Sequence, residues 1–126
     1  MFYPETIAID LWNMALEMNA QTAVYGVRTA ATTPGAVDTF TTYNLLRLCY
    51  RELTLDELQF MQANVNDVWR VWTILQYDLS YAGAPTPAVT YTLTFTDGSV
   101  WTIERKVSKA MNQAFECYCR QEPLGN

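Results

Sequence analysis

Apolar and polar positions alternate most regularly between Ala88 and Val107 (AVTYTLTFTDGSVWTIERKV). Before Asp97–Gly98, Tyr91, Leu93 and Phe95 alternate with Thr90, Thr92 and Thr94; after it run Val100, Trp101, Thr102 and Ile103. Period-two patterning, β-branched and aromatic residues, and a central Asp-Gly together predict a β-hairpin. A loop of Asp97 and Gly98 alone would set Thr94 against Trp101 and Thr92 against Ile103. A loop of Thr96, Asp97 and Gly98, with Gly98 left-handed in a G1 bulge, sets Leu93 against Trp101 and Tyr91 against Ile103. The second register gathers every large residue on one face and is the one expected.

The same patterning orders the rest of the chain. Pro4 to Asn19 carries Ile7, Leu11, Met14 or Ala15, and Met18 at helical spacing, with Pro4 and Glu5 in a favoured first turn. Thr22 to Thr29 reads as a short strand, and Pro34-Gly35 breaks it. Thr39 to Tyr50 reads as a second strand whose imperfect alternation calls for a bulge. Thr54 and Glu57 form a capping box, and Leu53 and Leu58 a hydrophobic staple. The helix they start should bury Leu55, Leu58, Met61 and Val65. Asp56 and Glu57 lie in its first turn, where negative charge suits the helix dipole.

Asp67 to Tyr77 is expected as a strand apolar on both faces. Val68, Trp72 and Ile74 share one face with Arg70, and Trp69, Val71 and Leu75 share the other. Such a strand is central in the core or covered by a helix or a neighbour. Asp78 to Ala88 reads as a projecting loop marked by Gly83, Pro85 and Pro87. Long loops more often carry function than not. Asp78, Tyr81, Gly83, Pro85 and Pro87 are therefore the candidate interaction residues, and Ala30 to Asp38 is a second candidate loop. A last strand, Gln113 to Arg120, points Phe115, Cys117 and Cys119 one way. The sum is an α+β fold, mostly β: a small β-barrel or sandwich with an N-terminal helix and one short capped helix across an opening. Leu93, Phe95, Trp101, Ile103, Phe115 and Cys117 are its core, and Asp97 and Gly98 its hairpin turn. One domain is expected over 1–126: a helix in 1–19, a β-rich part in 20–122 and a tail in 123–126.

Composition narrows the function. Half of the 126 residues are apolar, so a core can form without staples. No apolar run is long enough to span a bilayer, and MFYPETIAID has no signal-peptide pattern. The net charge of −5 argues against phosphate neutralisation as the main task. Arg105, Lys106, Lys109 and Arg120 are the only basic cluster and suit a solvated strand end. Three cysteines and no leader suggest reduced thiols. Cys117 and Cys119 have packing spacing, and with no histidine in the chain no metal or other cofactor is expected. Histidine's absence also removes the usual neutral-pH base, and no nucleophile-elbow, P-loop or dinucleotide motif is present. A non-enzyme is expected.

Three stretches carry a family resemblance. NAQTAVYGVRTAATTPGAVDTF is similar to an opening hairpin entered from a helix. LTLDELQFMQANVNDVWRVWTI is similar to a mid-chain unit of helix, polar link and strand. TLTFTDGSVWTIERKVSKAMNQAFECYCRQE is similar to a C-terminal signature, carried here by Asp97, Gly98, Trp101, Ile103, Phe115, Cys117, Cys119 and Arg120. In this order they resemble the head–tail connector proteins of long-tailed bacteriophages, the adaptor, stopper or head-closure class. The resemblance implies a virion structural protein of the neck, assembled in the bacterial cytoplasm. It would form a homo-oligomeric ring below a portal or adaptor protein and above a tail or tail-terminator protein. DNA would pass through the lumen without sequence-specific binding, and no membrane or catalytic residue would be involved. Two rival expectations are a tail-terminator or tail-completion ring, and a β-barrel binding module outside any virion.

Overall fold

The computed structural model describes residues 21–62 and 67–123. Strands β1 (Gln21–Thr29), β2 (Thr39–Arg51), β3 (Trp69–Leu75), β4 (Thr92–Phe95), β5 (Val100–Lys109) and β6 (Ala114–Gln121) form a closed barrel in the order β1-β2-β3-β6-β5-β4. Every pairing is antiparallel. Two helices interrupt the strands, α1 (Leu55–Phe60) and α2 (Gln76–Ala82). The fold is thus mostly β with short helices, and of barrel and sandwich it is the barrel. The expected helix over Pro4 to Asn19 lies outside the described residues.

The hairpin has the expected register. Leu93 faces Trp101, Phe95 N–H donates to the Ser99 carbonyl, and Gly98 has φ 88°. That φ is costly for any residue with a Cβ, which is why glycine ends the three-residue loop. Asp97 braces the turn by accepting from the Ser99 backbone at 2.8 Å and the Ser99 hydroxyl at 2.6 Å. β2 holds the expected bulge: Leu45 pairs with Ala23 but Leu48 with Gln21. The extra residue lets Leu45 and Leu48, three apart, both face inward, where they are 1 % and 0 % exposed.

Tyr25, Leu45, Leu48, Trp72, Ile74, Leu93, Phe95, Trp101, Ile103, Phe115, Cys117 and Cys119 fill the interior. Trp72 stacks on Phe95 with ring centroids 4.3 Å apart and meets Trp101 edge-on at 5.9 Å. β3 is buried on both faces. Trp72 and Ile74 point into the barrel, while Leu75 packs outside with Ala114 and Cys49.

Both helices depart from expectation. α1 does have the capping box: Glu57 N–H donates to Thr54 Oγ1 and Thr54 N–H to Glu57 Oε1. It does not cover an opening and buries no residue. Leu55 and Phe60 are largely exposed, and Leu58 and Met61 only half-buried; Val65 lies outside the described residues. α1 instead lies on the outer wall of β5 and β6, where Tyr118 donates to Glu57 and Arg105 sits over the Phe60 ring at 4.6 Å. The outward pair Val71–Tyr118 supplies apolar surface there.

The helix that enters the barrel is α2, in the stretch expected as a projecting loop. β2 and β3 pair only over Cys49–Thr73, Tyr50–Trp72 and Arg51–Val71 and then part. α2 fills the gap, contacting both strands, and inserts Leu79 into the core at 0 % exposure. It ends at Gly83, left-handed at φ 73°, the usual αL stop. α2 has no side-chain N-cap. The burial of one leucine outweighs its missing local signal.

Candidate functional site

The five residues expected as an interaction loop are pulled apart by this arrangement. Asp78 is buried and accepts from Arg47 Nη2 at 3.0 Å. The Pro85 carbonyl accepts from the Tyr25 hydroxyl at 3.1 Å, and Pro87 is buried. Gly83 ends the helix, and only Tyr81 presents a large exposed side chain. The first part of this stretch is helix packed on the barrel through Leu79, and residues 84–88 remain an irregular segment with Pro85 and Thr86 exposed. Ala30 to Asp38 does remain a loop. It is tied by Asp38, whose carboxylate accepts from Arg28 Nε at 2.6 Å and Ala31 N–H at 2.8 Å. The Ala31 bond, then the Arg28 bond, hold this exposed carboxyl below its ordinary pKa.

The inward cysteines offer no reactive thiol. Burial pushes Cys117 up to about 12 and Cys119 well above its ordinary value, so both stay protonated and act as small apolar fillers. Among the described residues no group of three or more His, Cys, Asp or Glu side chains converges as a metal site would require. No helix among them is long and apolar enough to cross a membrane.

What the structure does build is two unlike patches on the outer wall. The first surrounds β1. Val24 is 38 % and Leu46 58 % exposed, and they border a groove of about 420 Å³ shared with Thr22, Asn44, Thr94 and Thr96. Among the described residues its lining carries no charge. Leu46 points outward by ordinary alternation from inward Leu45, and the bulge beyond it returns Leu48 to the interior. The second patch is α1, with Leu55 70 % and Phe60 69 % exposed. Beneath it is an ionic cluster. Arg51 donates to both oxygens of Glu57 at 2.8 and 2.9 Å and to Glu116 at 3.4 Å, and Lys109 lies 3.7 Å from Glu116. The Arg51 bond, reinforced by bonds from Tyr118 and the Thr54 N–H, holds the Glu57 carboxyl well below the usual carboxylate range. Burial and the negative Glu57 raise Tyr118. The cluster fastens α1 to the wall with its apolar residues outward.

In the ring of six strands β1 and β6 stand opposite one another. The groove and the helix are therefore on opposite walls of the barrel. The expected interaction sites did not include either patch. The uneven alternation of β2, Leu46 included, pointed only to a bulge, and Leu55 was expected in a buried stripe that did not include Phe60.

The chain matches no protein-family model, no curated protein and no solved structure.

Proposed function

We propose that this protein is a ring-forming structural component of the phage head–tail interface, a head-completion or stopper ring below the portal that retains DNA and docks the tail. The observation that supports the reading most is the opposition of two unlike apolar patches across one barrel. A face that pairs with a different face on the next copy generates head-to-tail contacts, which close into a ring when the rotation allows. The protruding α1 residues Leu55 and Phe60 suit the groove beside Val24 and Leu46. Contiguous exposed apolar surface is where protein contacts form. The net charge of −5 fits a channel through which DNA slides without being held.

The test is particle mass by light scattering and negative-stain imaging of the purified chain, alone and with portal. A ring is expected in one of the two. Leu46→Asp and Leu55→Asp should each abolish it while leaving the melting temperature nearly unchanged. Mixed together, the two variants retain one good groove and one good helix, so a heterodimer should form and no ring. A monomer under every condition would instead favour a β-barrel binding module outside any virion.

A further inference from the structure

The end of the barrel opposite α2 holds an arginine that forms no ion pair among the described residues. Four of the six described arginines, Arg28, Arg47, Arg51 and Arg120, form ion pairs. Arg105 lies on the outer wall over Phe60 and Tyr118. Arg70 differs from all of these. It pairs with Cys119 across β3 and β6 and so lies on the inward face of the strand. Its guanidinium carbon sits 3.9 Å from the Tyr50 ring centroid and 5.0 Å from that of Trp101. Its Nε is shielded from solvent and has no acceptor among the described residues.

A second orphan donor lies on the same face. The Trp72 indole N–H, two residues along, is buried and without a partner among the described residues, whereas that of Trp101 is satisfied by Ser99 Oγ at 3.2 Å. Trp69 Nε1 is a third orphan, but it lies on the other face of β3. Buried donors without acceptors are rare and ask for an explanation. Rings against the guanidinium fix its plane and leave its edge for a flat acceptor.

We infer that this end of the barrel, where Arg70 lies between the partly exposed Tyr50 and the buried Trp72 and Trp101, is a receptor for a single carboxylate presented by a protein chain. A carboxylate fits better than a phosphate for two reasons. The apolar ring walls suit the methylene stem of a Glu or Asp. Asp97 stands close enough to feel the Arg70 charge, so a dianion would meet repulsion that a monoanion meets less. Asp97 itself does not fill the role: its first commitment is to the Ser99 hydroxyl, and among the described residues it forms no ion pair with Arg70. The inference stands whether or not the copies form a ring.

The experiment is nitrogen–proton NMR of the full chain, following the Arg70 Nε–H and Trp72 indole N–H peaks. N-acetylglutamate α-amide should shift both downfield and saturably. Arg70→Lys should weaken the affinity about tenfold, because an ammonium cannot present the guanidinium edge. Arg70→Met should abolish binding and raise the melting temperature of the free protein by a few degrees, since an unsatisfied buried donor is removed. Shifts that grow with protein concentration alone would identify a second copy as the carboxylate source; shifts only with the added amide would identify a different chain. Three results would overturn the inference: no saturable shift, inorganic phosphate at matched ionic strength binding as tightly, or Arg70→Met melting lower than the parent. If Arg70→Met does not fold, Arg70 is a structural strut and the inference falls as well.

Discussion

Helices α1 and α2 are nearly the same length, six and seven residues, and they are built by opposite means. α1 has an N-cap threonine, a complete capping box and two acids in its first turn, yet no residue of it is buried. α2 has no side-chain cap, yet it carries Leu79 to 0 % exposure between β2 and β3. Local hydrogen bonds suffice to start a helix that only decorates a wall. A helix that completes a core needs few local signals, because burying one leucine is worth more than a cap. α1 therefore leaves Leu55 and Phe60 free to carry a binding surface, whereas α2 commits Leu79 to the core and leaves Tyr77 and Tyr81 outside.

The contrast can be broken by mutation. Leu79→Ala should destabilise by about 2–5 kcal/mol in urea melts, as for a fully buried leucine. Leu55→Ala should change stability by no more than about 0.5 kcal/mol. Equal losses at the two positions would remove the distinction between the helices.

Glu57 is the next lever. Its carboxyl is held low in the folded chain, so its contribution is complete above the ordinary glutamate pKa of 4.5 and fades as pH falls through the folded value. Glu57→Gln should cost about 1–2 kcal/mol at pH 7, where Arg51, Tyr118 and the Thr54 N–H lose a charged acceptor. The deficit relative to the parent should shrink as pH drops below about 4. Urea midpoints of both proteins at pH 7 and pH 3 would show it, and a constant deficit would rule out a charged Glu57 as the anchor of α1.

The smallest effect concerns how α2 ends. No atom lies within 4 Å of a Cβ built on Gly83, so only the left-handed backbone at φ 73° resists a side chain. Gly83→Ala should cost about 1 kcal/mol, read as a small drop in melting temperature.

These helices also mark where the sequence could be read. Leu93 opposite Trp101 followed from Asp97–Gly98 because a hairpin register is set by its own turn. The bulge of β2 was visible in the uneven spacing of Leu45, Leu46 and Leu48, and the double burial of β3 in its apolar residues on both faces. The capping box of α1 was equally local. Its placement was not, since no short-range signal says which wall a short helix meets. α2 was hidden because Gly83, Pro85 and Pro87 read as loop chemistry, and the space Leu79 fills exists only once β3 has paired with β6, some forty residues later in the chain. Arg70 was seen to share a face with Trp72 and Ile74. That this face is the barrel interior, with Tyr50 across it, depends on the same distant pairing.

The three-pair contact between β2 and β3 has a further consequence. Beyond Cys49 and Thr73 neither strand has the other as a hydrogen-bonding neighbour, and α2 occupies the opening. Lifting α2 away would leave a barrel with two bare sheet margins, each able to recruit a strand from another molecule. The helix that the core requires is thus also the guard that keeps these chains from joining edge to edge.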